Sequence, residues 1–251
     1  GKTPASILIC KELERMSLKP ALIRKYYKNH KDEHRLIKNY FKNLILNDDR
    51  FSAIKEAEIK GFDLAVLDDG FQDYKIKRDL NIICFNQNQL AGNEYIFPAG
   101  PLRENLNSLK NAQIILINGS KDFSFEKKLL SINNDLQFFY SRYKPTNVNE
   151  FKNKKLLAFA AIGNPENFFN LLNIHNLNVK KKLVFPDHYE FKKFEILNII
   201  TTAERENSEI VMTEKDYFKV KDMLPKKLKY LKIELEIENK TKFIEKIKEI
   251  I

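Results

Sequence analysis

The sequence predicts an α/β chain built on mostly parallel sheets flanked by helices, in two lobes, and three observations carry that prediction. Near-continuous apolar runs at "LAVL" (64–67), "IILI" (114–117) and "LLAFAAI" (156–162) mark strands buried on both faces of a parallel sheet. Segments with apolar residues at helical spacing lie between such runs. Polar residues gather just after the runs, at the carboxyl ends of strands, where open α/β sheets hold ligands. A polar crossing at 145–153 divides the chain into a first domain, 1–148, and a smaller second one, 149–251.

In chain order, "GKTP" opens onto a helix over 5–18, with Ile7, Leu8, Cys10 and Leu13 turned toward a sheet. "PALIRKYY" (20–27) reads as a strand, and Leu36, Ile37, Tyr40, Phe41 and Leu44 set a helix after it. "LILND" (44–48) is a short strand, 50–60 a helix with Phe51, Ile54 and Ala57 on one side, and "GFDLAVLDDGFQD" (61–73) a strand ending in carboxylates. Strands follow at "LNIICF" (80–85) and "AQIILING" (112–119), whereas 121–150 is polar, weakly patterned and reads as extended. In the second domain 154–177 gives strand, turn and helix, with Asn164-Pro165 starting the helix. "VKKKLVFPDHYEF" (179–191), "SEIVMTEKDYF" (208–218) and "LKYLKIELEI" (228–237) read as strands, and 239–251 as a charged amphipathic helix.

A chain of 251 residues, 43% of them hydrophobic, is long enough to bury these cores. No apolar run approaches the roughly 20 residues that cross a bilayer, and no signal-peptide pattern opens the chain. Cys10 and Cys84 sit in apolar segments without metal spacing, which suits free buried thiols in a reducing compartment. The formal net charge of +10 suits phosphate or an anionic membrane surface, although a lysine-rich composition produces the same charge with no partner at all. Nucleic acid is disfavoured, because the basic residues are dispersed and not interleaved with aromatics.

Asp68 and Asp69 close an apolar run, and two adjacent carboxylates repel unless a cation accompanies them. They read either as a Mg²⁺-associated pair or as the Asp-Gly turn after a strand. "GKT" ahead of a helix bears on that choice. In a phosphate-binding loop the lysine reaches the β- and γ-phosphates and the threonine hydroxyl binds Mg²⁺. Gly1, Lys2 and Thr3, with "DD" about 65 residues later, have the order of Walker A and Walker B elements, and Pro4 is tolerated in a helix's first turn. In "FPAGPLREN" (97–105) two prolines around a glycine make a rigid turn. Arg103 after it suits phosphate oxygens and Glu104 a metal's outer shell, or the two form a local ion pair. His188, in "FPDH", follows an apolar run and is structural or functional on sequence alone.

Taken together, "GKTP", "DE" (32–33), "DDGFQ" (68–72), "FPAGPLRE" (97–104), "GNPENFF" (163–169), "FPDH" (185–188) and "TEKD" (213–216) resemble, in order, the tetraacyldisaccharide 4′-kinase family, the lipid A 4′-kinases of Gram-negative bacteria. The resemblance implies a P-loop NTPase-like fold with a second α/β lobe, acting as a monomer peripheral to the cytoplasmic face of the inner membrane. It implies transfer of the γ-phosphate of ATP, with Mg²⁺, to the 4′-hydroxyl of the lipid substrate tetraacyldisaccharide 1-phosphate, giving lipid IV-A. By the same resemblance Gly1, Lys2, Thr3 and Arg103 hold nucleotide phosphate, while Thr3, Asp68, Asp69 and Glu104 serve the metal. Asp32 matches the general base toward the sugar hydroxyl and His188 the histidine that tunes it.

Several positions depart from the family's pattern. Asp73 stands where histidine follows "DDGxQ", His34 where proline follows "DE", and Arg24-Lys25-Tyr26 where the family has arginine-glycine-tyrosine. The glycine-rich front of the loop, its strand and an amino-terminal hydrophobic helix do not precede Gly1, so the chain reads as truncated within the Walker A motif. Two rival readings accompany this one: a P-loop kinase or ligase for a soluble metabolite, which leaves "FPDH" and "TEKD" without a role, and an inactive fragment of the lipid kinase.

Overall fold

The computed structural model describes residues 1–28, 31–187, 189–223 and 228–251, and for Lys31 and Asp32 the backbone alone. In chain order the elements begin with α1 (Lys2–Arg15), β1 (Pro20–Lys25), α2 (Lys31–Tyr40), β2 (Leu44–Asn47), α3 (Arg50–Ile59), β3 (Leu64–Asp68) and β4 (Ile82–Asn86). Next come β5 (Ile114–Asn118), α4 (Phe123–Leu130), β6 (Gln137–Pro145), β7 (Lys155–Ala160), α5 (Pro165–Ile174), β8 (Asn178–Val184) and α6 (Lys193–Arg205). The chain continues through β9 (Glu209–Thr213), α7 (Glu214–Val220), β10 (Tyr230–Leu231), β11 (Ile233–Ile237) and α8 (Lys240–Lys248).

Two compact units contain these elements: the first takes residues 1–26, 41–144 and 235–251, the second 27–40 and 145–234. One cut in the chain does not describe them, because 27–40 packs with the later residues and 235–251 with the earlier ones. In the first unit β1 lies between β2 and β3, all parallel, and a second sheet has the order β11-β6-β5-β4, with β4, β5 and β6 parallel. The second unit carries one parallel sheet, β10-β9-β7-β8.

Burial explains the apolar runs. Ile114 and Leu116 of β5 join one cluster with Phe139 and Phe243, while Ile115 and Ile117 face Phe125 and Leu129 on the other side of the sheet. In β7, Leu157 and Phe159 pack with Ile196 and Met212, and Leu156 and Ala158 with Phe169 and Leu172. A strand covered by helices on both faces has no polar side to alternate with.

Three segments depart from the sequence pattern. The stretch 121–150 holds α4 and the nine-residue β6. Asp122 caps α4 by accepting the Phe125 N–H at 3.0 Å, and β6 runs on into Ser141, Arg142 and Lys144, which masks its apolar first half. "SEIVMTEKDYF" is β9 followed by α7, because the Thr213 hydroxyl accepts the Asp216 N–H at 3.2 Å and starts a helix there. "LKYLKIELEI" is two strands, β10 in the second unit and β11 in the first. The sequence pattern assigns nothing to 193–205, where α6 buries Ile196, Ile199, Ile200 and Ala203 at helical spacing.

Candidate active site

The site in the first unit is built where α1 begins and β3 ends. Lys2 and Thr3 lie in the first turn of α1, with Gly1 just before it. The parallel register sets Arg24 of β1 opposite Asp68 of β3, so both side chains leave the sheet on one face at its carboxyl edge. Asp68 is fully buried. It accepts from the Thr3 hydroxyl at 3.0 Å and the Ser6 hydroxyl at 3.4 Å, and it forms an ion pair with the Arg24 guanidinium. Arg24 also donates to Thr3 Oγ1 at 3.0 Å, which closes the group into a ring of mutual contacts.

Asp69 points to different partners because its backbone is left-handed, with φ 60°, a region that aspartate enters more readily than most residues. Lys2 Nζ and Arg103 Nη1 each lie 2.6 Å from its carboxylate. Partial burial alone raises the Asp69 pKa, but the hydrogen bonds and charges of Lys2 and Arg103 outweigh it and hold the group below the usual aspartate value. Arg50 fixes the same turn by donating to the Asp69 carbonyl at 2.6 Å and pairing with Asp73 at 3.6 Å. Arg78 adds bonds to the Gly70 and Asp73 carbonyls at 3.3 and 2.5 Å. Asp73, where the resembling family has histidine, is thus engaged by arginine.

Arg103 is delivered by a loop that needs glycine at its tip. A Cβ at Gly100 would lie 2.1 Å from Asn93 Oδ1 and 2.4 Å from the Tyr95 carbonyl oxygen. Glu104, next in sequence, accepts the Tyr74 hydroxyl at 2.6 Å. These groups border a cleft of about 680 Å³. Lys2, Asp69, Arg103 and Glu104 line its polar part, and Leu64, Val66, Ile82 and Cys84 continue it between β3 and β4. Burial pushes the Cys84 thiol up, and the Cys10 thiol as well. Both are free cysteines kept as thiols.

Thr3, Asp68 and Asp69 offer one hydroxyl and two carboxylates, a hard oxygen set. It fits Mg²⁺, which takes few protein ligands and completes its shell with water and phosphate. Among the described residues no cluster of three His, Cys, Asp or Glu side chains forms a separate metal cage.

In the second unit Asp32 lies on α2, with its side chain outside the described residues, and His188 lies outside them altogether. Their neighbours in sequence do meet: Lys215 Nζ is 3.1 Å from Glu33 and 3.5 Å from Asp187. Sequence reasoning passed over Ser6 and Arg50, and gave no role to Arg24 or to Lys215 although both stand in motifs it quoted. Ser6 had a signal, standing one helical turn after Thr3, whereas Arg24 and Arg50 are placed by strand register and packing that no local pattern encodes.

Comparison with known proteins agrees with this architecture. A family model described as tetraacyldisaccharide-1-P 4′-kinase, LpxK, matches residues 1–251. A tetraacyldisaccharide 4′-kinase of Pelagibacter ubique is 35% identical over 252 residues, covering 98% of this chain and 79% of the relative. The enzyme of the same description from Vibrio campbellii is 27% identical over 270 residues, covering 100% and 78%. A crystal structure of LpxK from Aquifex aeolicus in complex with ATP has a similar fold, with a TM-score of 0.73 at 21% identity over all of this chain and 84% of that one. The chain belongs to the tetraacyldisaccharide-1-P 4′-kinase family.

Proposed function

We propose that the protein transfers the γ-phosphate of ATP to the 4′-hydroxyl of tetraacyldisaccharide 1-phosphate, forming lipid IV-A. The observation that carries this reading is the meeting of two segments 65 residues apart: Thr3 lies 3.0 Å from Asp68 and Lys2 lies 2.6 Å from Asp69. A lysine and a hydroxyl at the start of a helix, held against carboxylates at the end of a parallel strand, form the cationic and oxygen-rich seat that a nucleoside triphosphate requires.

In the transfer, the acceptor oxygen forms a bond to the γ-phosphorus, the bond from phosphorus to the ADP oxygen breaks, and the hydroxyl proton leaves to a carboxylate. Lys2, Arg103 and the Gly1 backbone would bind the phosphate oxygens, and Thr3, Asp68 and Asp69, supported by Glu104, would hold Mg²⁺. When bound, Mg²⁺ supplies charge neutralisation for the phosphates. Lys2 and Arg103 are at present paired with Asp69, so each exchanges a carboxylate for a phosphate partner of the same charge type. Asp32 takes the proton, and His188 orients and tunes Asp32. Because phosphoryl transfer depends on positioning and charge more than on the base, Lys2 matters more than Asp32.

Peripheral attachment of a monomer to the cytoplasmic face of the inner membrane accords with this reading. The substrate carries four acyl chains, the net charge of +10 favours an anionic surface, and no helix among the described residues is long and apolar enough to cross a membrane. The test is mass analysis of tetraacyldisaccharide 1-phosphate after incubation with the protein and ATP, with Mg²⁺ and with a chelator. Gain of one phosphate that the chelator abolishes supports the proposal. An unchanged lipid alongside a phosphorylated soluble sugar overturns the substrate, and transfer that persists in chelator overturns the metal.

A further inference from the structure

We propose that Lys215 is a positioning residue for the acceptor side of this reaction, and that the turn 213–216 is the hub on which the second unit's motif loops are assembled. The inference rests on the reading of Asp32 and His188 given above. Each residue of "TEKD" holds a different segment. Thr213 caps α7, accepting the Asp216 N–H at 3.2 Å. Glu214, almost fully buried, accepts the Tyr40 hydroxyl at 2.7 Å at the far end of α2. Burial, reinforced by that hydrogen bond, pushes the Tyr40 phenol up and keeps it a donor. Asp216, fully buried, accepts the Ala161 N–H at 2.9 Å, the Thr213 hydroxyl at 2.6 Å and Lys219 Nζ at 2.9 Å. Lys219 returns a bond to the Ala161 carbonyl at 2.9 Å, so the strand end before "GNPENFF" is gripped on both backbone groups.

Lys215 ties the remaining two segments together. Its ammonium reaches Glu33 at 3.1 Å, near the start of α2, and Asp187 at 3.5 Å, in the turn after β8. Asp32 and His188 are the chain neighbours of those two carboxylates. Lys215 is a cation that both carboxylates share, and its removal takes that shared contact from the segments carrying the base and its histidine. The third loop touches the same place, since a Cβ at Gly163 would lie 3.1 Å from Asp187 Oδ2. The fold does not depend on this lysine for its core: Glu214 and Asp216 on either side are buried, whereas the Lys215 side chain keeps about a fifth of its surface in solvent.

The experiment compares wild type, Lys215→Met and Lys215→Arg by steady-state kinetics, thermal melting and backbone hydrogen exchange over 33–40 and 185–191. Lys215→Met is expected to lower kcat about 10- to 100-fold, as small misplacements of reacting groups do, with KM for ATP within about twofold, a fall in melting that Lys215→Arg recovers, and faster exchange in both segments. Lys215→Arg restores most of kcat and of the protection. Unchanged exchange in Lys215→Met overturns the anchor. Faster exchange with unchanged kcat, or a loss of kcat that arginine does not rescue, overturns the positioning role. A wild-type protein that leaves the lipid unphosphorylated strikes the proposed function instead, and hydrogen exchange then still decides whether Lys215 holds the two segments.

Discussion

Replacing Arg24 by methionine isolates the strongest electrostatic contact in the site. Asp68 is fully buried and the Arg24 side chain is 12% exposed, so their charges meet largely out of water. Methionine preserves much of the apolar stem and removes the cation, leaving the carboxylate with only the Thr3 and Ser6 hydroxyls of its described partners, at 3.0 and 3.4 Å. Removing one partner of a buried pair costs about 3–5 kcal/mol, because the other charge stays buried without compensation. The two hydroxyls place the loss near the lower end, about 3 kcal/mol. For a chain of this size each kcal/mol moves Tm by about 2–4 °C, which gives a fall of about 6–12 °C. Thermal unfolding followed by circular dichroism at pH 7 measures it, in low and high salt, since a buried pair is little screened. Lys2→Met is the reference: that side chain is 45% exposed, its pair is screened by solvent, and its removal costs less than about 1 kcal/mol. Adding Asp68→Asn to Arg24→Met should recover part of the loss by neutralising the stranded carboxylate. A loss no larger than that of Lys2→Met, or no recovery in the double variant, would show that Asp68 does not depend on Arg24 for its charge balance.

Two further outcomes follow from the same geometry. The Asp69 carboxyl is held below its usual pKa by Lys2 and Arg103, so its contribution to stability is present above the unfolded value of about 3.9 and is lost as pH falls through the lower folded value. The difference in melting between wild type and Lys2→Met should accordingly persist at pH 7 and shrink as pH falls below the ordinary aspartate range; a difference that does not change with acidification contradicts the assignment. Gly100→Ala forces a methyl group to within 2.4 Å of the Tyr95 carbonyl oxygen, which should cost about 1–3 kcal/mol by overpacking and displace Arg103. Melting and turnover should fall together, and a variant with unchanged Tm and turnover shows that the loop is not closed in this way.

How much of this was legible in the sequence depended on how local its cause was. The strands β5 and β7 were readable because burial on both faces leaves an unbroken apolar run, β3 from a similar run although its apolar residues are at most partly buried, and α5 because Asn164-Pro165 announces its start. The helix α7 was absorbed into the strand before it, although Thr213 and Asp216 carried a capping signal. Division of the chain into units was less accessible, since α2 leaves the neighbourhood of β1 and β11 returns to β6 across more than ninety residues, as Arg142 and Glu236 meet 94 residues apart. The site shows the same contrast. Lys2, Thr3, Asp68, Asp69 and Arg103 were visible as motif residues, but Arg24, the cation that balances Asp68, comes from a neighbouring strand by register, and Arg50 reaches the Asp69 turn from helix α3.

On the proposed function, Lys2 and the Asp68–Asp69 pair form the seat from which phosphate passes to the lipid. Transfer of radiolabel from γ-labelled ATP to tetraacyldisaccharide 1-phosphate, measured side by side for the wild-type protein and Lys2→Ala, tests it most directly. Label should appear at the 4′-oxygen in the wild type and fall at least about a hundredfold in Lys2→Ala, the range that loss of a preorganised charge contact brings. Transfer that survives the lysine change undiminished, or label on a position other than the 4′-oxygen, would contradict it.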